Sequence, residues 1–222
     1  MLLAIDTSTA QMGLALYDGA QVAAESMWTS RQHHTVELAP AVAELLRRCG
    51  LDVSALEAIG VALGPGSFTS LRVGLAFAKG LVLARRLPLI GVPTLDILAA
   101  AQPVTDLPLA AVLQAGRGRL AVGWYEPAGT SWRATGPASV ETAESLARSI
   151  RHPSIVCGEL TAEDRQRLKR KRVNVTLSPP SRSVRRPGIL AELAWGRWRS
   201  GMLDDAAGLS PIYLHSAEPV PA

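Results

Sequence analysis

The feature that most constrains this chain is the stretch "AIGVALGPGSFTSLRVGLAFAKG", Ala58 to Gly80. An apolar run stops at Gly64-Pro65-Gly66-Ser67, and a long apolar helical pattern follows. Gly64 and Gly66 permit positive φ and close backbone approach, and Ser67 suits the N-cap of the helix. A helix N-terminus presents free N–H groups and about half a positive charge, so strand, glycine turn and helix in this order make an anion site. It is not a Walker A loop, which needs Gly-Lys-Ser/Thr after the glycines; Phe68 and Thr69 follow instead, and Lys79 lies deep in the helix. Taken alone, the turn reads as strand-to-helix punctuation without a ligand.

A second stretch bears on the same question. "DTSTAQMGLAL", Asp6 to Leu16, puts an acid at the end of a first strand, then hydroxyls, then a second strand. That is a phosphate-hairpin arrangement, in which the acid holds a hydrated magnesium ion and hydroxyls and amides hold phosphate. The alternative is an Asx-type turn in which Asp6 and Thr7 satisfy local backbone groups. The candidate phosphate residues are therefore Asp6, Thr7, Ser8, Gly64, Gly66 and Ser67.

The pattern around these stretches predicts an α/β fold. Met1–Ser8 reads as a buried strand, and Asp18-Gly19 between two apolar runs is a hairpin signal. Helical spacing from His33 ends at Gly50, a plausible C-cap after Arg47-Arg48. Pro40 should keep the start of that helix near Glu37. "EAIGVAL", Ser67–Arg86, "LPLIGV" and Thr94–Ala101 alternate strand and helix, with Thr94 as a cap. The result is a mixed sheet with an antiparallel edge. A second strand set begins at Val104 and turns at Gly116-Arg117-Gly118. Thr161–Lys171 and "ILAELAWGRWRSG" read as helices, and Trp195 and Trp198 read as core. The expected domains are a lobe over 1–103, a second lobe over 104–210 and a loose tail over 211–222.

Composition narrows the function. The 222 residues are 48% hydrophobic and 19% charged, enough to bury a core. No leader is read at the start, and no apolar run reaches the ~18 residues of a membrane span, so a cytoplasmic protein is expected. Cys49 and Cys157 form no CxxC pair and read as core thiols in a reducing compartment. His33 and His34 are adjacent and cannot chelate together on a helix, and there is no HxxxH, HExxH or GxSxG. No catalytic residue and no metal site is assigned. The net charge of +4 is uneven: Arg151–Arg199 holds twelve Lys/Arg and four Asp/Glu, densest at Arg165–Arg172. That run is either a nucleic-acid surface or a solvated arginine-rich face.

"LLAIDTST", "GVALGPGSFTSLRVGLAFAKGL" and "IGVPTLDILA", in this order and spacing, resemble the bacterial tRNA threonylcarbamoyladenosine-biosynthesis family TsaB, also called YeaZ. The resemblance is specific from Met1 to about Ala101 and thin beyond it, where "PIYLH", Pro211–His215, is similar to a short signature near the family's C-terminus. It implies the actin-like, sugar-kinase-like ATPase fold (ASKHA, with ribonuclease-H-like lobes), two lobes with mixed sheets. It also implies a non-catalytic scaffold subunit that pairs with the metal-bearing paralogue TsaD and with the ATPase TsaE, supporting threonylcarbamoyl transfer to the adenosine beside the anticodon. In this reading the chain forms a homodimer in isolation and binds no cofactor alone, with ATP or ADP left open at the partner interface. Transfer RNA is met indirectly or through Arg165–Arg172. The departures are Ser70, where the resemblance implies the last glycine of the turn, Gln114 and Gly116, which drop an acid and a base of a family stretch, and His215 where arginine is common.

The two N-lobe helices carry wide apolar stripes. Leu38, Val42 and Leu45 mark one side of the first, and Val36, Ala39, Ala43 and Leu46 another. Leu71, Leu75, Ala78 and Val82 mark one side of the second, and Val73, Phe77 and Leu81 another. The resemblance implies that this pair packs on a partner, with His34, Glu37, Leu38, Ala41, Leu45, Thr69, Arg72, Val73 and Ala76 as interface candidates. Two other readings stay open: an independent nucleotide-dependent phosphotransferase or hydrolase built on Asp6 and the glycine turn, and a stand-alone tRNA binder using Arg165–Arg186.

Overall fold

β1 (Leu2–Asp6) is buried at all five positions because it is the centre of a sheet covered on both faces. In this computed structural model, which describes residues 1–30, 33–170 and 173–214, β2 (Gln11–Tyr17) runs antiparallel to β1 and β3 (Val22–Thr29) antiparallel to β2. β4 (Ala58–Ala62) and β5 (Leu89–Val92) follow in parallel on the other side, so the order is β3-β2-β1-β4-β5. The antiparallel edge follows from a hairpin whose loop is the four residues Asp18–Gln21, closed by Asp18 N–H donating to Gln21 O at 3.2 Å. Asp18 Oδ1 accepts from the N–H groups of Ala20 and Gln21, and Gly19 has φ +98°.

Side-chain alternation sorts the two faces. Leu3 and Ile5 join Leu14, Leu16, Ile59 and Val61 under α1 (His34–Arg48) and α2 (Phe68–Arg85). Leu2, Ala4, Ala15, Ala58 and Ala62 face α6 (Pro187–Arg199), which contributes Leu190, Ala191 and Ala194. The small residues on that face let α6 come close: a Cβ on Gly60 would lie 2.7 Å from that of Ala194. Trp195 and Trp198 are core, as their spacing predicts, with Trp195 edge-on to Tyr17 at 5.6 Å. α1 ends as predicted: Gly50 has φ +66°, its N–H donates to Arg47 O and that of Leu51 to Leu46 O. Pro40 differs from expectation, because α1 starts at His34 and contains it. The carbonyl it leaves without a helical donor is that of Val36, and both residues are exposed, so water can serve it.

The expected domain boundaries do not match the packing. The first unit is Met1–Ile97 plus Arg185–Ile212, and the second is Leu98–Val184 plus the described chain from Tyr213. The division falls inside α3 (Thr94–Ala100), and α6, assigned by sequence order to the second lobe, covers the first lobe's sheet. Pro211 and Ile212 also belong to the first unit, where Ile212 N–H donates to Leu63 O at 2.7 Å. Residues 215–222, including His215, lie outside the described residues.

The second unit is built on β6 (Leu109–Gln114), β7 (Arg119–Ala128), β8 (Ser131–Ala134), β10 (Ser154–Gly158) and β11 (Val175–Leu177), in the order β11-β10-β6-β7-β8. β9 (Ser139–Thr142) adds to β7. α4 (Ala143–Ser149) and α5 (Ala162–Lys169) close one face over Val112, Leu120 and Val156. Thr161 and Asp164 form a capping box at the start of α5. No described helix is long and apolar enough to cross a membrane.

Cys157 is fully buried on β10, and burial pushes its thiol up to about 12. The reactive species is the thiolate, so a disulfide reagent at pH 8 is expected to label Cys49 but not Cys157 until the second unit is unfolded. Peptide mapping of the labelled native protein checks this; a labelled Cys157 would mean that the strand opens under native conditions.

Candidate functional site

The structure brings all six candidate phosphate residues together at the C-terminal ends of β1 and β4. Asp6, Thr7 and Ser8 are buried, Gly66 is half-buried and Ser67 is exposed. What joins them is mutual hydrogen bonding. Ser67 N–H donates to Ser8 O at 2.7 Å, and Ser8 N–H donates to Asp6 Oδ1 at 2.8 Å. Thr7 Oγ1 donates to Ser70 O at 2.8 Å, and Gly64 N–H donates to Thr94 Oγ1, itself 2.8 Å from Ser8 Oγ. Thr94, expected as a helix cap, thus spends its hydroxyl on the glycine turn. Ser67 caps α2 as expected, accepting from Ser70 N–H and Oγ, so the Ser70 departure adds a hydroxyl to the cap.

The two glycines explain how closely the turns meet. A Cβ on Gly66 would overlap the Ser8 carbonyl, and one on Gly74 would overlap Thr7 Oγ1. The space between the strand-end turn and the helix is filled by the chain itself.

Asp6 has a partner that the sequence did not reveal. Its Oδ2 accepts from Arg185 Nε at 2.8 Å, with both side chains almost fully buried. Arg185 Nη2 also donates to Thr9 Oγ1 at 2.9 Å and to Gln11 O at 2.8 Å. The fold implies a magnesium–nucleotide at such a hairpin, and the residues present do not fit it within this unit. The carboxylate that would face the metal is already neutralised by a fixed guanidinium, and the Ser8 and Ser67 amides are committed to protein acceptors. Arg185 sits in "SPPSRSVRRPG", 179 positions from Asp6. Nothing local to either residue marks the pair, and the loop reads as one more solvated basic stretch. Among the described residues, no group of three or more His, Cys, Asp or Glu is placed to hold a metal ion.

The interface candidates divide. Leu38, Thr69, Arg72, Val73 and Ala76 line a groove of about 440 Å³ between α1 and α2, together with Thr35, Ala39, Phe68 and Phe77. Phe68 is half-exposed, with the Arg72 guanidinium carbon 3.8 Å from its ring centroid. Val36 on α1 and Leu83 on α2 are also open to solvent, at 66% and 74% exposure. His34 and Leu45 are buried in the unit instead: the His34 ring meets Thr9 O at 3.0 Å and Leu45 is core. Glu37 accepts from Trp28 Nε1 at 2.8 Å, a bond that holds its carboxyl below the usual range, and Ala41 packs on the same core. The Leu71, Leu75, Ala78 and Val82 side of α2 is likewise core. Gln114, noted above as a departure from the resemblance, donates to Glu159 O and to Asp164 Oδ2 at 2.9 Å, bonds that a carboxylate could not make.

These features define a class first. Both units are mixed-sheet α/β lobes of the actin-like ATPase fold, a fold shared with the ROK hexokinase of Thermus thermophilus (TM-score 0.51, 11% identity, covering 90% of this chain and 99% of that one). More specifically, the family model described as TsaD, tRNA N6-adenosine threonylcarbamoyltransferase, matches residues 24–179, and the chain belongs to that family. The chain is similar to the tRNA threonylcarbamoyladenosine biosynthesis protein TsaB of Bacillus subtilis, 37% identical over 125 residues, which cover 56% of this chain and 55% of that protein. It is similar also to YeaZ of Pseudomonas aeruginosa, with TM-score 0.79, 27% identity, and 96% of this chain and 99% of that chain covered. The resemblance drawn from Met1–Ala101 thus leads to proteins carrying that name. The chain spans about half the length of the curated relatives it matches.

Proposed function

We propose that this chain is a non-catalytic subunit in the synthesis of threonylcarbamoyladenosine on tRNA. In this reading it docks the outer face of α1 and α2 onto a catalytic paralogue of the TsaD kind and works with a TsaE-type ATPase. The observation that carries the reading is the exposed apolar groove of α1 and α2 on a chain of this family. A face with Val36, Phe68 and Leu83 open to solvent is the kind of surface that a partner covers. The Asp6–Arg185 pair supports a non-catalytic role, because it occupies the carboxylate that a nucleotide enzyme would use. The same pair counts against the alternative, an independent phosphotransferase or hydrolase.

Light scattering on a size-exclusion column tests the reading. The chain mixed with the TsaD of its own organism is expected to elute as a heterodimer, and the chain alone with ATP and magnesium is expected to show no turnover. Separate elution together with turnover by the isolated chain would replace this reading with the phosphotransferase.

A further inference from the structure

The second unit separates its charges along β10 and β11. Leu98–Val184 holds twelve Lys/Arg against seven Asp/Glu, and the topology decides where the excess goes. α4 leads into the start of β10 and α5 into the start of β11, and these strands are parallel neighbours. The C-terminal ends of both helices therefore meet at one end of the sheet. Asn174 Nδ2 donates to Arg151 O at 2.9 Å and Ser154 N–H to Asn174 O at 2.9 Å, which fixes the two connecting loops side by side. Arg148 lies in the last turn of α4, Lys169 in the last turn of α5, Arg170 caps α5 and Arg151 sits in the loop. All four are exposed, and none pairs with an acid among the described residues.

Most of the acids collect elsewhere, although Asp106, in the loop before β6, and Glu126, on β7 and paired with Arg133, lie at the same end of the sheet. Glu144, Glu163 and Asp164 lie in the first turns of the helices, and Arg167 is held there by Glu144 at 3.6 Å and Glu163 at 2.6 Å. Arg165 donates to Ser178 O. The run Arg165–Arg172 is thus not one surface: two of its cations are spent internally, two are exposed at the loop end, and Lys171 and Arg172 lie outside the described residues. Cations in a last helical turn suit the helix dipole, but Arg151 lies beyond any helix and joins the same end.

We propose that this end of the second unit, built from Arg148, Arg151, Lys169 and Arg170, binds the phosphate backbone of RNA. Unpaired cations in excess over acids neutralise successive phosphates and release condensed counterions, which gives affinity without sequence readout. The choice of RNA over another polyanion rests on the functional reading above.

Fluorescence anisotropy of the full chain with an unmodified tRNA transcript, titrated between 50 and 200 mM KCl, tests it. Replacing all four residues by Gln is expected to weaken binding more than about 10-fold at the lowest salt. It should also flatten the slope of log affinity against log salt by about 3, for four contacts of ~0.7–0.9 each. Arg47→Gln, Arg48→Gln, Arg85→Gln and Arg86→Gln together remove the same charge from exposed positions of the first unit, and are expected to leave the slope within about 1 of the wild-type value. Equal losses from the two quadruple variants would overturn the proposal, as would an unchanged slope in the first. Binding to phosphatidylserine vesicles with none to tRNA would also overturn it. The same variants run with TsaD separate the two readings: intact heterodimer with lost RNA affinity is expected here, whereas absent heterodimer with retained RNA affinity strikes the functional reading alone.

Discussion

Arg185→Met is expected to lower the stability of the first unit by about 3–5 kcal/mol, the usual cost of removing one partner of a buried ion pair. Asp6 would keep the Ser8 N–H as donor but lose the guanidinium, leaving a carboxylate almost without solvent and without a counter-charge. Thr9 Oγ1 and Gln11 O would each lose the Arg185 Nη2 donor as well. The measurement is urea unfolding followed by tryptophan fluorescence, since Trp28, Trp195 and Trp198 all report on this unit. Asp6→Asn combined with Arg185→Met is expected to be more stable than Arg185→Met alone, because the stranded charge is gone. A double variant as unstable as the sum of the two single variants would mean that the residues do not stabilise each other. Magnesium at millimolar levels should not shift the wild-type midpoint; a rise would mean that the native state binds the ion and that Asp6 is available after all.

The second large effect separates two neighbours on α2. Leu75→Glu is expected to cost more than about 4 kcal/mol, because it removes a core leucine and places a carboxylate in an apolar cluster. Most of that variant should fail to fold. Ala76→Glu, one residue on, faces the open groove and should change stability by no more than about 0.5 kcal/mol. It should nevertheless weaken the heterodimer by about 100-fold or more, since a charge at the centre of an apolar contact acts as a hot-spot substitution. Thermal melting and light scattering on the two variants give both readouts. Native affinity in a folded Ala76→Glu would remove this face from the interface.

Much of the first unit was legible because its signals are local. Asp18-Gly19 marked the hairpin, Gly50 closed α1, Ser67 opened α2, and the unbroken apolar run of β1 showed a strand buried on both sides. The glycine turn was legible as geometry: Gly64 and Gly66 predicted close approach, and close approach is what forms. What approaches is the Ser8 carbonyl at Gly66 and the Ile212 carbonyl at Gly64. A glycine permits contact with a phosphate and with a neighbouring strand end equally, so residue type alone leaves the occupant open.

The rest depended on which distant segments meet. Both stripes of α2 are apolar, and only packing says that Leu71, Leu75, Ala78 and Val82 face the sheet while Arg72, Val73 and Ala76 line a groove. α6 follows the second lobe in the chain yet completes the first, because the Ala-rich back face of β1, β2 and β4 needs a cover. The sequence by itself determined the strands and helices of the first unit and the caps at Gly50 and Ser67, which rest on spacings within about a turn or a hairpin. It also determined the family, which rests on three motifs in order between Met1 and Ala101; nothing in it marked β8, β9 or α4. The tertiary structure alone decided that Arg185 neutralises Asp6, because a charge pair has no periodicity and leaves no mark on the residues between its members.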